Sequence, residues 1–209
     1  MWWFGDFVND VLATWVVLDP ISAVPVFAAL TADHDAATRR GVAAATTLVA
    51  LAVLAAFISI GQIVINAIGV SLRAFTISGG LILFVIAADL VIGRSRTPVA
   101  GDFPKLSPLQ LAIHPLAVPT LAGPGAMLAV MLRTNNARVS LTEQVHAVTS
   151  VVVVLAITYG MLLGARPIGR VIGAGGAGIV RRVMGMILAA YAVSLVLRGL
   201  SSWLALPPV

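Results

Sequence analysis

Asp19-Pro20-Ile21-Ser22-Ala23-Val24-Pro25 interrupts one apolar run of this chain, and His114-Pro115-Leu116-Ala117-Val118-Pro119, followed by Leu121-Ala122-Gly123-Pro124-Gly125-Ala126, interrupts another. Proline lacks a backbone N–H and its ring clashes with the carbonyl four residues back, so each motif is expected to break its helix. At membrane depth, broken backbone is tolerated only where protein or a water-filled cavity covers it. A matched pair of breaks, one per half of the chain, is the sequence pointer to a solute site in a transporter built from repeats.

Composition agrees with a membrane setting. Of 209 residues 60% are hydrophobic and 10% charged, with a mean hydropathy of +1.05, whereas soluble domains carry about 25% charged residues. A span needs about 20 apolar residues, so the chain has room for six helices and no soluble domain of any size. The formal net charge of +5 does not mark a nucleic-acid binder, because the Lys and Arg residues lie between apolar runs rather than on one helix face. There is no cysteine, which excludes disulfides, thiolate nucleophiles and Cys-ligated metals. Met1-Trp2-Trp3-Phe4-Gly5-Asp6 has no basic n-region, so the first span is expected to be retained rather than cleaved as a signal peptide.

Apolar runs fall at about Val8–Thr31, Gly41–Ile68, Leu72–Ile92, Leu106–Met131, Val145–Leu163 and Ile179–Leu197. The first and fourth hold the proline motifs, and the others lack proline, so the chain divides three plus three. Loops one, three and five hold Arg39 and Arg40, then Arg94, Arg96 and Lys105, then Arg166, Arg170, Arg181 and Arg182; the opposite side holds Arg73, Arg133, Arg138 and Arg198. Basic residues favour the cytoplasm, so those three loops are expected inside and both termini outside, with Trp2, Trp3 and Trp203 at the outer interface. Three is odd, so the second half enters the membrane with opposite polarity. The expected fold is an all-α integral membrane protein, one transmembrane domain of six helices in two inverted repeats, residues 1–100 and 101–209.

Asp19 falls near the middle of a span, where an uncompensated carboxylate costs about 2.5–3.5 kcal/mol on insertion scales. It therefore marks a solute or coupling site, or caps the second half-helix with Pro20 in its first position. His114 is its counterpart in the fourth span, able to titrate near neutral pH or to hydrogen-bond a freed carbonyl. Gly123-Pro124-Gly125 permits an unwound stretch that presents amides to a small ligand. The candidate binding residues are thus Asp19, Pro20, Ser22, Ala23, Pro25, His114, Pro115, Pro119, Gly123, Pro124 and Gly125. Gln62, Asn66, Thr76, Ser78 and Asp89 are candidates for lining a path, with interhelical hydrogen bonds, or snorkelling for Asp89, as the structural alternative. Gly79-Gly80 and Gly160-Met161-Leu162-Leu163-Gly164 read as small-residue packing surfaces. Gly173-Ala174-Gly175-Gly176-Ala177-Gly178 matches GxGxxG, but no Asp or Glu follows Glu143, so a flexible inner loop is expected rather than a dinucleotide site. No GxSxG or HExxH occurs, and no enzymatic activity is expected.

DPxxxxPxF in helix one, TxSGGLxLFxIAxD in helix three, PLAxPxLAGPGA in helix four and RxMGxILAAxAV in helix six resemble the MarC family of bacterial and archaeal inner-membrane proteins. The resemblance covers essentially the whole chain. It implies a six-helix inner-membrane transporter, since some family members are described as carriers of small neutral amino acids such as glycine and alanine, driven by a cation gradient. The chain departs from the family at Asp19, where many relatives carry Asn, and at His114, where they carry an apolar or small residue.

The functional expectation is a secondary transporter of small solutes, of the glycine or alanine type, with H⁺ or Na⁺ as coupling ion. Amides near Ser22, Ala23, Gly123 and Gly125 would receive the carboxylate of the amino acid, Asp19 would hold its ammonium, a proton or Na⁺, and carbonyls around Leu18 and Ile113 would complete an ion site. Lipid and a small solute are the expected partners, a homo-oligomer is a candidate, and no cofactor is implied. The rival readings are an exporter of other small or amphipathic compounds and a membrane scaffold without a solute.

Overall fold

The computed structural model describes residues 2–93, 106–134 and 140–204. All of the regular structure in them is helical. Arg94, Arg96, Lys105 and Arg138, with the side chains of Trp2, Trp3, Gln62 and Arg170, lie outside the described residues. Helix α1 (Trp2–Leu18) and helix α2 (Pro20–Leu30) meet at Asp19, whose backbone is left-handed at φ 44, ψ 59. Helix α3 (Ala36–Ala67) begins at Asp35, which accepts from Ala37 N–H and Thr38 N–H at 3.3 Å each. Those bonds hold the Asp35 carboxyl below its usual pKa, so the cap persists at neutral pH and is lost only as pH falls through that depressed value. Helix α4 (Leu72–Ile92) is capped by Ser71 and ends on Gly93 at φ 78. After α5 (Pro108–Leu111) comes the irregular segment Ala112–Leu121, then α6 (Pro124–Arg133), α7 (Leu141–Leu163) and α8 (Ala165–Leu204). Reciprocal side-chain-to-backbone caps, Ser107 with Gln110 and Ser140 with Glu143, open α5 and α7.

Among the described residues five helices are long and apolar enough to cross a membrane, the first taken as Phe7–Leu30; Pro108–Leu121 and Pro124–Arg133, bent by 58°, make a sixth if taken as one span. The glycine-rich stretch 173–178 departs from expectation, lying inside α8 rather than in a loop. Glycine costs a helix only about 1 kcal/mol relative to Ala, and the nearest proline, Pro167, sits in the first turn, where no N–H is missed.

The bundle is apolar on the outside. Leu48, Ile60, Ile63, Val85, Ile157 and Ile179 are exposed, whereas Thr46, Ser150 and Thr158 are buried. Water would penalise that arrangement and hydrocarbon does not, so what holds the helices together is close packing and internal hydrogen bonding. In the most apolar stretch of α3 only 18% of residues are buried inside the chain, which leaves most of that helix to lipid.

Small residues set the contacts. The most extensive packing is α4 on α8. A Cβ on Gly80 would lie 2.9 Å from the Ala192 carbonyl and 2.8 Å from the Val196 side chain, and one on Gly185 would lie 2.9 Å from the Leu90 Cβ and 3.1 Å from the Ala87 carbonyl. The pairing rises along α4 as it falls along α8, so the two are antiparallel. On its other flank α4 meets α6 by exchange, Leu83 resting on Gly125 and Leu128 on Gly79. Further pairs include α1 with α7, α3 with the irregular segment, α2 with α8, α3 with α7, α2 with α7, α3 with α6, α1 with α6, α2 with the irregular segment, and, less extensively, α6 with α7 and α1 with α8. Gly160, read from sequence as part of a packing face, meets nothing within 4 Å. Its surface is unused within the chain.

Gly80→Ala should therefore destabilise the detergent-solubilised protein by about 1–3 kcal/mol, because the new methyl meets backbone that cannot yield. Gly160→Ala should be neutral or stabilising by up to about 1 kcal/mol. Denaturant unfolding of the two variants side by side checks the contrast, and equal effects would refute the close-approach account.

Candidate functional site

Two apolar clusters are stacked along the bundle. One gathers Leu18, Ala23, Ala50, Leu54, Ala117, Leu121, Val151 and Val154; the other gathers Val24, Phe27, Val42, Ala43, Leu116 and Leu162. The boundary between them is polar. On α3 it falls at Thr46, one turn from both Val42 and Ala50, and on α7 at Thr158, one turn from both Val154 and Leu162. In the first span it falls between Ala23 and Val24, just past Ser22 in α2, and in the irregular segment between Leu116 and Ala117.

Sequence and geometry explain this seam locally. Asp19 N–H still donates to Trp15 carbonyl at 3.0 Å, so α1 is complete up to the break. The left-handed turn at Asp19 is a conformation that Asp tolerates better than most residues, and its carboxylate accepts from Ser22 N–H at 3.4 Å. Pro20 follows in the first position of α2, where its missing N–H has no bond to lose. Asp19 is half-buried, Pro20 and Ala23 are buried, and Pro25 is half-buried within α2. Thr158 donates to Val154 carbonyl at 2.7 Å. The hydroxyls of Ser22 and Thr46 are buried and have no hydrogen-bond partner among the described residues, an arrangement that costs about 1–3 kcal/mol for each group left unmade.

The second motif is irregular in a different way. His114 (φ −135, ψ 122) and Val118 (φ −124, ψ 121) are extended, and the His114–Pro115 and Val118–Pro119 peptide bonds are cis. Freed carbonyls are met locally: Thr120 hydroxyl donates to Pro115 carbonyl and Ala122 N–H to Ala117 carbonyl, both at 2.8 Å. His114 Nδ1 lies 3.0 Å from Val118 carbonyl, a contact that requires its proton on Nδ1. Pro115, Leu116 and Ala117 are buried, but the side chains of His114 and Ile113 are exposed and do not face the seam. Gly123 is half-buried with Pro119 carbonyl 2.6 Å from the place of a Cβ, Gly125 is buried under Leu83, and Pro119 and Pro124 are exposed.

Helix α2, which carries Ser22 and Ala23 of the first motif, packs on the irregular segment that holds buried Pro115 of the second. The residues singled out as path-lining lie elsewhere. Thr76 donates to Leu72 carbonyl and Ser78 to Phe75 carbonyl within α4, Asp89 is half-buried near the end of α4, and Asn66 is exposed near the end of α3. Helix α4 packs on α6 and α8 rather than on the elements that form the seam.

Sequence reading passed over two groups. Thr46 and Thr158 were the first, each a single hydroxyl inside a buried stripe of period 3.6, which was the available signal. The second closes one end of the bundle: Arg133 pairs with the Asp10 carboxylate, donates to Asp10 carbonyl at 3.0 Å and reaches the Thr14 hydroxyl at 3.3 Å, and Thr14 and Ser150 share a hydrogen bond of 2.8 Å. Beneath that pair lies a cavity of about 10 Å³ bounded by Thr14, Leu18, Val130, Arg133, Val151 and Tyr191, the room of about one water. At the opposite end a cavity of about 220 Å³ opens among Phe27, Thr31, Arg39, Arg40, Leu162 and Arg166.

Comparison with known proteins places this arrangement. Residues 4–204 match the model of the MarC family, described as integral membrane proteins. A UPF0056 membrane protein of Methanocaldococcus jannaschii is 36% identical over 186 residues, covering 88% of this chain and 90% of its own length. The UPF0056 inner membrane protein YhgN of Escherichia coli K12 is 27% identical over 204 residues, 96% of this chain and 98% of its own, and the UPF0056 membrane protein YvbG of Bacillus subtilis is 26% identical over 201 residues, 94% and 95%. No solved structure matches the chain. Matched from its first helix to its last, this multi-pass membrane protein belongs to the MarC family.

Proposed function

We propose that the protein is a secondary transporter of small neutral solutes, of the glycine or alanine type, coupled to H⁺ or Na⁺, and that Asp19 with the hydroxyl seam is its binding site. One observation carries this reading. A carboxylate sits in a left-handed break inside an apolar span, one turn from the buried hydroxyl of Ser22, and α3 carries a second buried hydroxyl at Thr46; neither hydroxyl has a partner among the described residues. Such polar groups at membrane depth are costly unless a ligand, ion or water completes them. A carboxylate and hydroxyl oxygens suit a hard cation or an ammonium group. Ala23, Ala50 and Ala117 border the seam in the outer cluster and are almost wholly buried, which favours a small solute and disfavours a bulky amphipathic one.

Most of the more extensive helix pairs fit an inverted repeat, although α6–α7 and α1–α8 have no counterpart of similar extent. Exchanging α1–α4 with α5–α8 turns the α1–α7 contact into that of the irregular segment with α3, α2–α8 into α6–α4, and α2–α7 into α6–α3. It turns α1–α6 into the irregular segment with α2, and leaves α3–α7 and α4–α8 as themselves. In this reading Arg133 and Asp10 latch the outer end, the arginine-lined cavity opens toward the cytoplasm, and relative movement of the halves alternates access. Both termini then lie outside and the membrane is the cytoplasmic one.

Three outcomes test the proposal in proteoliposomes. Asp19→Ala should abolish counterflow of glycine or alanine, while Asp19→Asn, which keeps a capping oxygen and tolerates the left-handed turn, should fold normally and lose its response to a pH or Na⁺ gradient. Transport by Asp19→Ala at the wild-type rate would remove Asp19 from the mechanism. Thr46→Val should leave stability unchanged or raise it by about 1 kcal/mol, since it deletes an unpaired hydroxyl, yet slow counterflow about tenfold; a stability loss with normal transport would make Thr46 merely structural. Arg133→Gln should weaken the outer latch, so that a cysteine placed at Thr14 reacts with a membrane-impermeant thiol reagent at least several-fold faster than in the Arg133 background.

A further inference from the structure

The cavity of about 220 Å³ stands where α2 ends, α3 begins and α7 passes into α8. Three arginines line it, Arg39, Arg40 and Arg166. Among the described residues none of the three is within ion-pairing distance of a carboxylate. The nearest acid along the chain that could neutralise them, Asp35, turns its carboxylate to the first amides of α3 instead. Arg166 is anchored by donating to Ala32 carbonyl at 2.9 Å and His34 carbonyl at 3.4 Å. Arg39 is different: its Nη1 is buried and has no hydrogen-bond partner. A buried donor on a charged group is an expensive group to leave unpaired, and nothing else in the cavity accepts from it.

We infer that this cavity is a binding site for a phosphate group, with Arg39 as its central ligand. Guanidinium forks match phosphate oxygens in pairs, and three of them exceed the charge that a single carboxylate would neutralise. The first residue of α3, Ala36, borders the same space, but the Asp35 carboxylate already occupies the amides of that helix end, so the arginines supply the positive charge. The other wall is apolar, made by Phe27, Leu162 and Ala165, and Leu163 beside it is exposed. A phosphate carrying an alkyl or glycerol portion fits that division; the volume is below the range of about 300–1,000 Å³ usual for drug-sized ligands. Thr31 lines the cavity too, but its hydroxyl proton goes to Phe27 carbonyl at 2.7 Å, so it does not add a donor. The loop charges assign this end to the cytoplasmic leaflet, where anionic lipid headgroups lie. The phosphate can thus come from an anionic lipid or from a soluble ion, and the site stands whether or not the seam carries solute.

The test uses the full chain, delipidated in detergent, with native mass spectrometry and thermal unfolding. Phosphatidylglycerol, phosphatidylcholine, inorganic phosphate and glycerol phosphate are added separately to wild type, Arg39→Gln, Arg39→Gln/Arg40→Gln and, as a control at the opposite end, Arg198→Gln. The expected result is retention of phosphatidylglycerol over phosphatidylcholine, reduced about tenfold or more by Arg39→Gln and untouched by Arg198→Gln. Stabilisation by inorganic phosphate or glycerol phosphate, with the same dependence on Arg39, would instead identify a soluble source. Failure of wild type to bind any of the four, or binding that both arginine variants retain unchanged, overturns the site. Arg166 is left intact because its bonds to Ala32 and His34 could make its loss a folding defect.

Discussion

A freed peptide group in hydrocarbon has no water to turn to, and the rest of this structure depends on how that demand is met. At the α1–α2 junction it is met cheaply. A single left-handed residue lets α1 finish its hydrogen bonds and α2 begin with a proline that needs none, while the Asp19 side chain takes up Ser22 N–H. In the segment Ala112–Leu121 the chain unwinds further, and Thr120 and Ala122 reach back five residues to the carbonyls of Pro115, which Pro119 cannot serve, and Ala117. The two solutions differ because one proline follows its break and the others fall inside theirs.

The second constraint is that lipid gives the helices no hydrophobic reason to associate. Side chains that would form the core of a soluble protein, such as Leu48 and Ile63, are therefore outside, and the contacts inside rest on residues with little or no side chain. Where α4 crosses α8, the glycines at Gly80 and Gly185 bring backbone against carbonyl oxygen and Cβ. Where α4 crosses α6, each helix supplies one leucine and one glycine. Such surfaces define position closely because an added methyl has nowhere to go, and they leave the few internal polar groups to fix what packing does not.

Much of this was legible in the sequence. Hydropathy located the spans because each must cover the same thickness of hydrocarbon, and the proline motifs stood out because they cannot be regular helix. The ends of elements were less legible: α8 runs through a glycine-rich stretch that reads as a loop, since helix stability there depends on continuity with the turns on either side rather than on local propensity. The site was legible by half. Asp19 and Ser22 announce themselves beside Pro20, but Thr46 and Thr158 are ordinary hydroxyls in apolar helices until the stacking of the two clusters shows that they share a level. The side chain of His114, matched to Asp19 by position in its motif, is exposed because the extended backbone at His114 and Val118 breaks the helical phase that would have carried it inward. The Asp10–Arg133 pair joins residues far apart in the chain, and no local pattern marks it.

Helix α8 has one further property that follows from its length. Its 40 residues make a rod of about 60 Å at 1.5 Å per residue, roughly twice the hydrocarbon thickness. Such a rod is longer than the hydrocarbon is thick, so part of α8 extends past the membrane core. One rigid body therefore connects the glycine crossing with α4 to the arginine-lined cavity. With Gly185 as fulcrum, a tilt of about 10° displaces Arg166 by roughly 5 Å. A slight change of crossing angle deep in the bundle is in this way magnified at its rim, and Gly185 divides α8 into two nearly equal arms, one packed on α4 and the other reaching the arginine-lined cavity.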